Sequence, residues 1–403
     1  MPINVGIIGY GFSTKNYHIP FISSIPEYNI TAILQRAAPP ENTPSRTVTP
    51  EPNSHCTIDH PGIRHHRTPE PFFADKDIDL VVVATHIDTH AFFAEGALRA
   101  GKHVIVDKPF ARTTQEADAL VTLAKEKSLT LTCYQNRRWD GDFLTLTHLH
   151  KANALGKIAE AEFHYDWDHP PWLDHLDEKK FTAGYGHMFT LGAHTIDQAL
   201  TLFGRPASVT AFLRCQRGMQ EQNQSQSQNG NDVDVDLERE SDAEDSYTII
   251  LQYSGDQENL LVTIKSCIIT PMRRQLKMFV RGTEGSYVKY QTHPTCPQET
   301  QIFTGASPLS PTFGNEPPDA AGELTTYDLY DAKIQSFDEE SGLLTGAYPS
   351  IRGRWMGFWE NIVGVLKGEE ELKVQMGTVR DGIRVIELAR VSSGTGASVE
   401  WSD

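Results

Sequence analysis

Residues 4–14 read NVGIIGYGFST. A short apolar, β-branched run closes on two glycines one residue apart, and the pattern turns helical near Ser13. Gly9 permits a tight turn, and Gly11 lets the backbone approach a pyrophosphate at the N-terminus of the next helix. Tyr10, Phe12, Ser13 and Thr14 complete the fingerprint, with Thr14 where a third small residue is usual. Alone this spacing is weak. Placed between a first strand and a helix, it reads as a dinucleotide-binding turn.

Working outward, Asn29–Gln35 is a second strand, and Leu80–Ala84 (LVVVA) is an apolar run of the kind buried on both faces of a parallel sheet. Thr89–Ala100 reads as a helix stopped by Gly101, His103–Val106 as a strand, and Thr113–Glu116 as a capping box opening another helix. Leu129–Tyr134 closes the series. Alternating β and α predicts a doubly wound α/β domain over 1–134, of Rossmann type. Proline-rich residues 37–70 break the rhythm and read as an extended surface insertion, densest over 37–60. From about 155 the pattern becomes alternating β, beginning with Ile158–Tyr165. An α+β domain with an open, mainly antiparallel sheet is therefore expected over 135–403. Its 216–245 tract is polar, acidic and almost free of large apolar groups, and is expected to be disordered.

The 403 residues carry a net charge of −17, with 39% hydrophobic and 22% charged residues. That charge argues against a nucleic-acid or anionic-membrane partner. No apolar run approaches a membrane span, and the strand pattern at the N-terminus leads us to expect no targeting peptide. Five scattered cysteines without a CxxC fit reduced thiols and a cytoplasmic location.

Three places carry candidate chemistry. The second strand ends in Gln35-Arg36, with no acid to receive a ribose 2′-hydroxyl; Arg36 suits a 2′-phosphate, favouring NADP, with NAD as the alternative. Asp107-Lys108-Pro109 ends a parallel strand, where such sheets place their ligand crevice. Lys108 there could exchange a proton with a reacting alcohol or carbonyl, or be a plain surface lysine. In a helix, Thr190, His194 and Asp197 would share a face, and His194 would carry protons or simply hydrogen-bond. His55, Cys56, His60, His65 and His66 lack ligand periodicity, so no metal is expected. Asp166 and Trp167, with His164, Asp168, His169, Trp172 and His175, form an aromatic and acidic set of a kind that borders substrates.

GIIGYGF, THIDTH (85–90), GKHVIVDKPF (101–110), YQNRRWDGDFLT (134–145), GYGHMFTLGAHTIDQAL (184–200) and RGTEGSYVKY (281–290) together resemble the glucose-fructose oxidoreductase, inositol dehydrogenase and rhizopine-catabolism (Gfo/Idh/MocA) family. They are nearest to its NADP-dependent scyllo-inositol dehydrogenase-like branch. The resemblance implies an oxidoreductase acting on an alcohol–ketone pair of a small, sugar-like substrate, and a homodimer or larger homo-oligomer formed through the open sheet. It puts the family lysine on Lys108, the motif histidine on His194, and the nicotinamide-side asparagine on Asn136. Thr85, His86, Asp88, His90 and Asp107 fall on the cofactor side. Arg137, Trp139, Asp166, Trp167, Trp172 and Asp197 fall on the substrate side. Thr190 stands where the family has an aspartate, so Thr190 would orient substrate with a hydroxyl. Relatives of this fold also include a non-catalytic dinucleotide-binding regulator and an NAD-dependent glycosidase; retention of Lys108 and His194 favours the enzyme.

Overall fold

The computed structural model describes residues 2–40, 55–170, 181–216, 243–291 and 296–402. These form two compact units, Met1–Asn136 with Ile302–Pro311 and Trp355–Arg380, and Arg137–Gln301 with Thr312–Arg354 and Asp381–Asp403.

The first unit is built on six parallel strands: β1 (Ile3–Ile8), β2 (Tyr28–Leu34), β3 (Arg64–His66), β4 (Leu80–Val83), β5 (His103–Val106) and β6 (Leu131–Cys133). Their order is β3-β2-β1-β4-β5-β6, the doubly wound arrangement expected. Strand order reverses between β1 and β4, which run parallel with Ile8 opposite Val83. All four β4 residues are fully buried, as their unbroken apolar run requires. Thr113 accepts from the amide of Glu116 at the start of the helix Thr114–Glu126, as the capping pattern predicts.

Two features escaped the sequence reading. Residues 55–70 do not run extended: His55 caps a short helix, Cys56–Asp59, β3 adds the sheet edge, and Pro69 opens the helix Pro69–Ala74. A three-residue strand spelled Arg-His-His has no apolar alternation to announce it. The first unit also takes in Trp355 and the helix Met356–Lys367. Trp359 lies 5.8 Å from the His18 ring, Phe358 packs on Tyr134 at 4.9 Å, and Tyr28 donates to the Trp359 carbonyl at 2.7 Å. These aromatics complete a core that residues 1–134 leave open.

The second unit carries ten strands ordered β14-β15-β13-β12-β11-β7-β10-β9-β8-β16. They are β7 (Ile158–His164), β8 (Ser208–Arg214), β9 (Ser246–Gln252), β10 (Leu261–Ser266), β11 (Leu276–Gly282), β12 (Gly285–Tyr290), β13 (Gly322–Thr326), β14 (Ser336–Asp338), β15 (Leu343–Tyr348) and β16 (Val399–Glu400). Among the described residues of this unit, β7 and β10 pair in parallel and the other pairings are antiparallel. One face buries Phe163, Ile249, Ile264 and Val280 with Ile196 and Leu200 of the helix Ala193–Phe203.

The acidic tract expected to be disordered over 216–245 is corrected at its ends; 217–242 lie outside the described residues. Gln216 donates its amide to Asp245 at 2.7 Å, and Ala243, Glu244 and Asp245 are buried. Glu244 binds Arg390 at 2.5 Å and accepts from the Met188 amide at 3.3 Å. Burial raises its carboxyl pKa, against the pull of Arg390. An acidic run hides such a residue because composition does not reveal which acid meets a buried arginine.

Candidate functional site

In the first unit the glycine turn is shaped by its neighbours. Gly9 has φ +99°, and a Cβ there would lie 2.3 Å from the Ala84 carbonyl oxygen after β4. Any other residue would force β1 and β4 apart. Gly11 is different: among the described residues a Cβ there would meet no atom within 4 Å, so the backbone is open to close approach by a ligand. Thr14, where a third small residue was expected, is fully buried and donates its hydroxyl to the Gly9 carbonyl at 3.0 Å, so it ties the turn down. Tyr10 donates to Asp59 at 2.6 Å, with the Lys15 ammonium 4.7 Å from its ring. Phe12 is 63% exposed and stacks loosely with Tyr17 and Phe303.

The turn is tied to the lysine strand by Asp107. Ser13 donates a short hydrogen bond to the Asp107 carboxylate, the amide of Lys108 donates to it at 2.7 Å, and His18 Nε2 donates at 3.3 Å. A π-helical turn, Thr14–His18, carries the His18 ring into the interior, where it is fully buried beside Tyr134. Burial alone would raise the Asp107 pKa; the bonds from His18 and Ser13 and the nearby Lys108 charge outweigh it and hold the pKa at about 2. Because the folded value lies below the ordinary 3.8, this group's contribution is complete above about pH 4 and is lost as pH falls towards 2. Wild type should therefore lose about 2 kcal/mol more than Asp107→Asn between pH 4 and pH 2. Urea unfolding at stepped pH reads that difference, and parallel curves would refute it. The His18 contact was missed in the sequence because a π turn rotates side chains off the 3.6-residue period.

The remaining cofactor-side candidates divide. Arg36 is exposed, and among the described residues its guanidinium has no partner; Arg67 donates to its carbonyl at 3.2 Å, bringing a second cation there. His86 and Asp88 are exposed, Thr85 is half-buried, and Asn136 is buried. His90 turns inward: its ring nitrogens face the carbonyls of Pro109 at 2.9 Å and Thr85 at 3.0 Å. Its role is to brace the Lys108-Pro109 turn, and burial depresses its pKa.

The expected histidine group is partly drawn together. Ligand atoms of His55, Cys56 and His65 all lie within 4.8 Å of one another. His55 Nε2 donates to the Ala37 carbonyl and His65 Nε2 to that of Gln35, while His55 Nδ1 accepts from the Thr57 amide as the helix cap. These bonds account for the cluster as the brace of the β2–β3 edge.

In the second unit, His194 and Asp197 are buried on the helix Ala193–Phe203, but Thr190 is exposed. A π-helical turn, Met188–Gly192, carries Thr190 just before that helix. Thr190 donates its hydroxyl to the Gly186 carbonyl at 2.9 Å. Asp197 receives a two-pronged bond from Arg138, at 2.6 and 2.7 Å. Arg137 is buried against Glu299 at 2.9 Å and Asp140 at 3.3 Å. Burial would depress its pKa, but those acids keep it fully charged. Both Arg137 and Asp197 thus take part in internal ion pairs. Asp166 accepts from His164 Nδ1 at 3.1 Å, and Trp139 and Trp167 are partly exposed. Trp172 and His175 lie outside the described residues.

Residues 3–135 match the oxidoreductase family with an NAD-binding Rossmann fold, and residues 143–288 match the GFO/IDH/MocA C-terminal domain. An uncharacterized oxidoreductase of Schizosaccharomyces pombe is 31% identical over 402 residues, 99% of each chain. The scyllo-inositol 2-dehydrogenase (NADP(+)) IolW of Bacillus subtilis is 29% identical over 97% of this chain and 94% of its own. The solved structure of yvaA from Bacillus subtilis aligns over all of both chains with a TM-score of 0.78 at 27% identity. With both of its units matched and its glycine turn, parallel sheet and Asp107-Lys108 strand end in place, the chain belongs to the GFO/IDH/MocA family of NAD(P)-binding oxidoreductases.

Proposed function

We propose that this protein moves a hydride between NADP(H) and the alcohol or ketone carbon of a sugar- or polyol-like substrate, with Lys108 as the proton partner. The observation that carries the reading is the Ser13–Asp107–Lys108 connection, which ties the dinucleotide turn to a lysine at the end of β5. The open backbone at Gly11 and the exposed guanidinium of Arg36 fit a phosphorylated dinucleotide. The bound nicotinamide supplies or accepts the hydride. In reduction the carbonyl carbon would accept hydride from the nicotinamide while its oxygen takes a proton from the Lys108 ammonium, forming the alcohol; oxidation would reverse both transfers. Asp107 fixes the backbone of Lys108 and adds a negative charge beside it. Within the second unit, His194 is the candidate proton carrier and Thr190 the candidate hydroxyl for orienting substrate. The NADP named for the Bacillus subtilis relative supports the cofactor choice, as does its scyllo-inositol substrate for the polyol class. Exposed strand residues Phe212, Tyr290 and Phe337 support assembly of two or more copies through the open sheet. Among the described residues no helix is long and apolar enough to cross a membrane.

NADPH should bind roughly 10–100-fold more tightly than NADH, the worth of a charged hydrogen bond to the 2′-phosphate. Arg36→Ala should remove most of that ratio and leave NADH affinity unchanged. Calorimetry with equal wild-type affinities for the two cofactors would dismiss the NADP assignment.

A further inference from the structure

Three lysines of the described chain are buried, and two of them are satisfied. Lys102 donates to the carbonyls of Asp75 at 2.6 Å and Ile78 at 3.0 Å. Lys289 on β12 binds Glu316 at 2.5 Å, Ser350 at 3.0 Å and the Ala320 carbonyl. Lys277 on the adjacent β11 is 2% exposed, yet among the described residues its ammonium has no hydrogen-bond partner. Its position is built by a β-bulge. Leu276 pairs with Tyr290 and Met278 with Lys289, so Lys277 is the extra residue between consecutive partners. Both Lys277 and Met278 are buried, where regular alternation would send one outward. Bulges re-aim side chains in this way and recur beside active sites.

The bulge sets the Lys277 ammonium 4.0 Å from the centre of the Tyr165 ring. Tyr165 is 1% exposed, and among the described residues its hydroxyl has no hydrogen-bond partner either. Burial raises the phenol pKa far above neutrality, so it stays an O–H donor. The Arg137 guanidinium lies 5.5 Å from the same ring and is held by Glu299 and Asp140. Two unsatisfied donors in one buried cluster are costly for folding alone, since each leaves water without a replacement acceptor.

We infer that Lys277 and Tyr165 form a substrate subsite that takes hydroxyl or carbonyl oxygens of a neutral polyhydroxylated ligand. The charge balance selects neutrality. Lys277 and Arg137 contribute two positive charges, and Asp140 and Glu299 two negative ones. A carboxylate or phosphate on the ligand would face those acids without a surplus cation to meet it. The inference rests on the second unit being the substrate-binding unit, as in the function proposed above, and names the substrate class more closely.

The test compares full-length wild type with Lys277→Met and Lys277→Arg, using scyllo-inositol, glucose and the corresponding sugar acids as probes. Lys277→Met keeps the length of the chain and removes its donors. It should raise KM for the neutral probes at least tenfold, the value of a charged hydrogen bond. It should leave kcat within about threefold and NADPH affinity unchanged. Its melting temperature should equal or exceed wild type, because an unpartnered buried charge is gone. Lys277→Arg should recover part of the loss. An unchanged KM with a lower melting temperature would make Lys277 a structural partner of the Tyr165 ring and overturn the subsite. Tighter binding of sugar acids than of neutral sugars would overturn the ligand class. Should wild type turn over none of these compounds, the hydride-transfer reading fails separately. Calorimetry on the same panel then decides the subsite: heat lost in Lys277→Met supports it, and no heat in wild type rejects it.

Discussion

Lys108→Met should bind NADPH within about twofold of wild type and lose roughly two to four orders of magnitude in turnover, the span for removing a general acid or base. Binding should persist because the turn is held by Gly9, Thr14 and the Asp107 carboxylate, not by the lysine side chain. Asp107 accepts from the backbone amide of Lys108, a bond any residue there can make. The companion His194→Ala should cost less than Lys108→Met. Stopped-flow hydride transfer with NADPH and a polyol or ketone panel makes the measurement. Wild-type rates in Lys108→Met would end the mechanism. A wild type that binds dinucleotide but transfers hydride to or from nothing would mark the chain as a non-catalytic member of its family.

Asp197→Ala should lower stability by about 3–5 kcal/mol, among the largest single effects in the second unit. The Arg138–Asp197 pair is nearly closed to water, with side chains 10% and 4% exposed, and its two bonds are parallel and short. Removing the carboxylate takes away the two-pronged bond that offsets the desolvation of the guanidinium. The double variant Arg138→Met, Asp197→Leu should recover most of the loss, since a pair of apolar side chains needs no partner. Thermal and urea unfolding of the three variants tests this. If Asp197→Ala melted like wild type, the pair would be screened as a surface ion pair is, and the prediction would fall.

The sequence by itself determined the first unit's plan. Its central strand β4 is fully buried and spells an unbroken apolar run, and Gly9, Gly11 and the Thr113–Glu116 cap are local signals with local causes. It also marked Lys108 and His194 through motifs whose spacing survives along the chain. Contacts between distant segments decided the rest. Trp355 and Phe358 serve the first unit from more than two hundred residues beyond its sheet, and nothing in their spacing declares which core they fill. The π-helical turn at Thr14–His18 carried His18 inward, against the period on which helix faces are read. Glu244 acquired its meaning from Arg390, and Arg137 from Glu299, pairings across a hundred residues or more. Lys277 looked like an ordinary strand residue until the bulge turned it inward, because a one-residue shift in pairing belongs to two strands together and is written in neither alone.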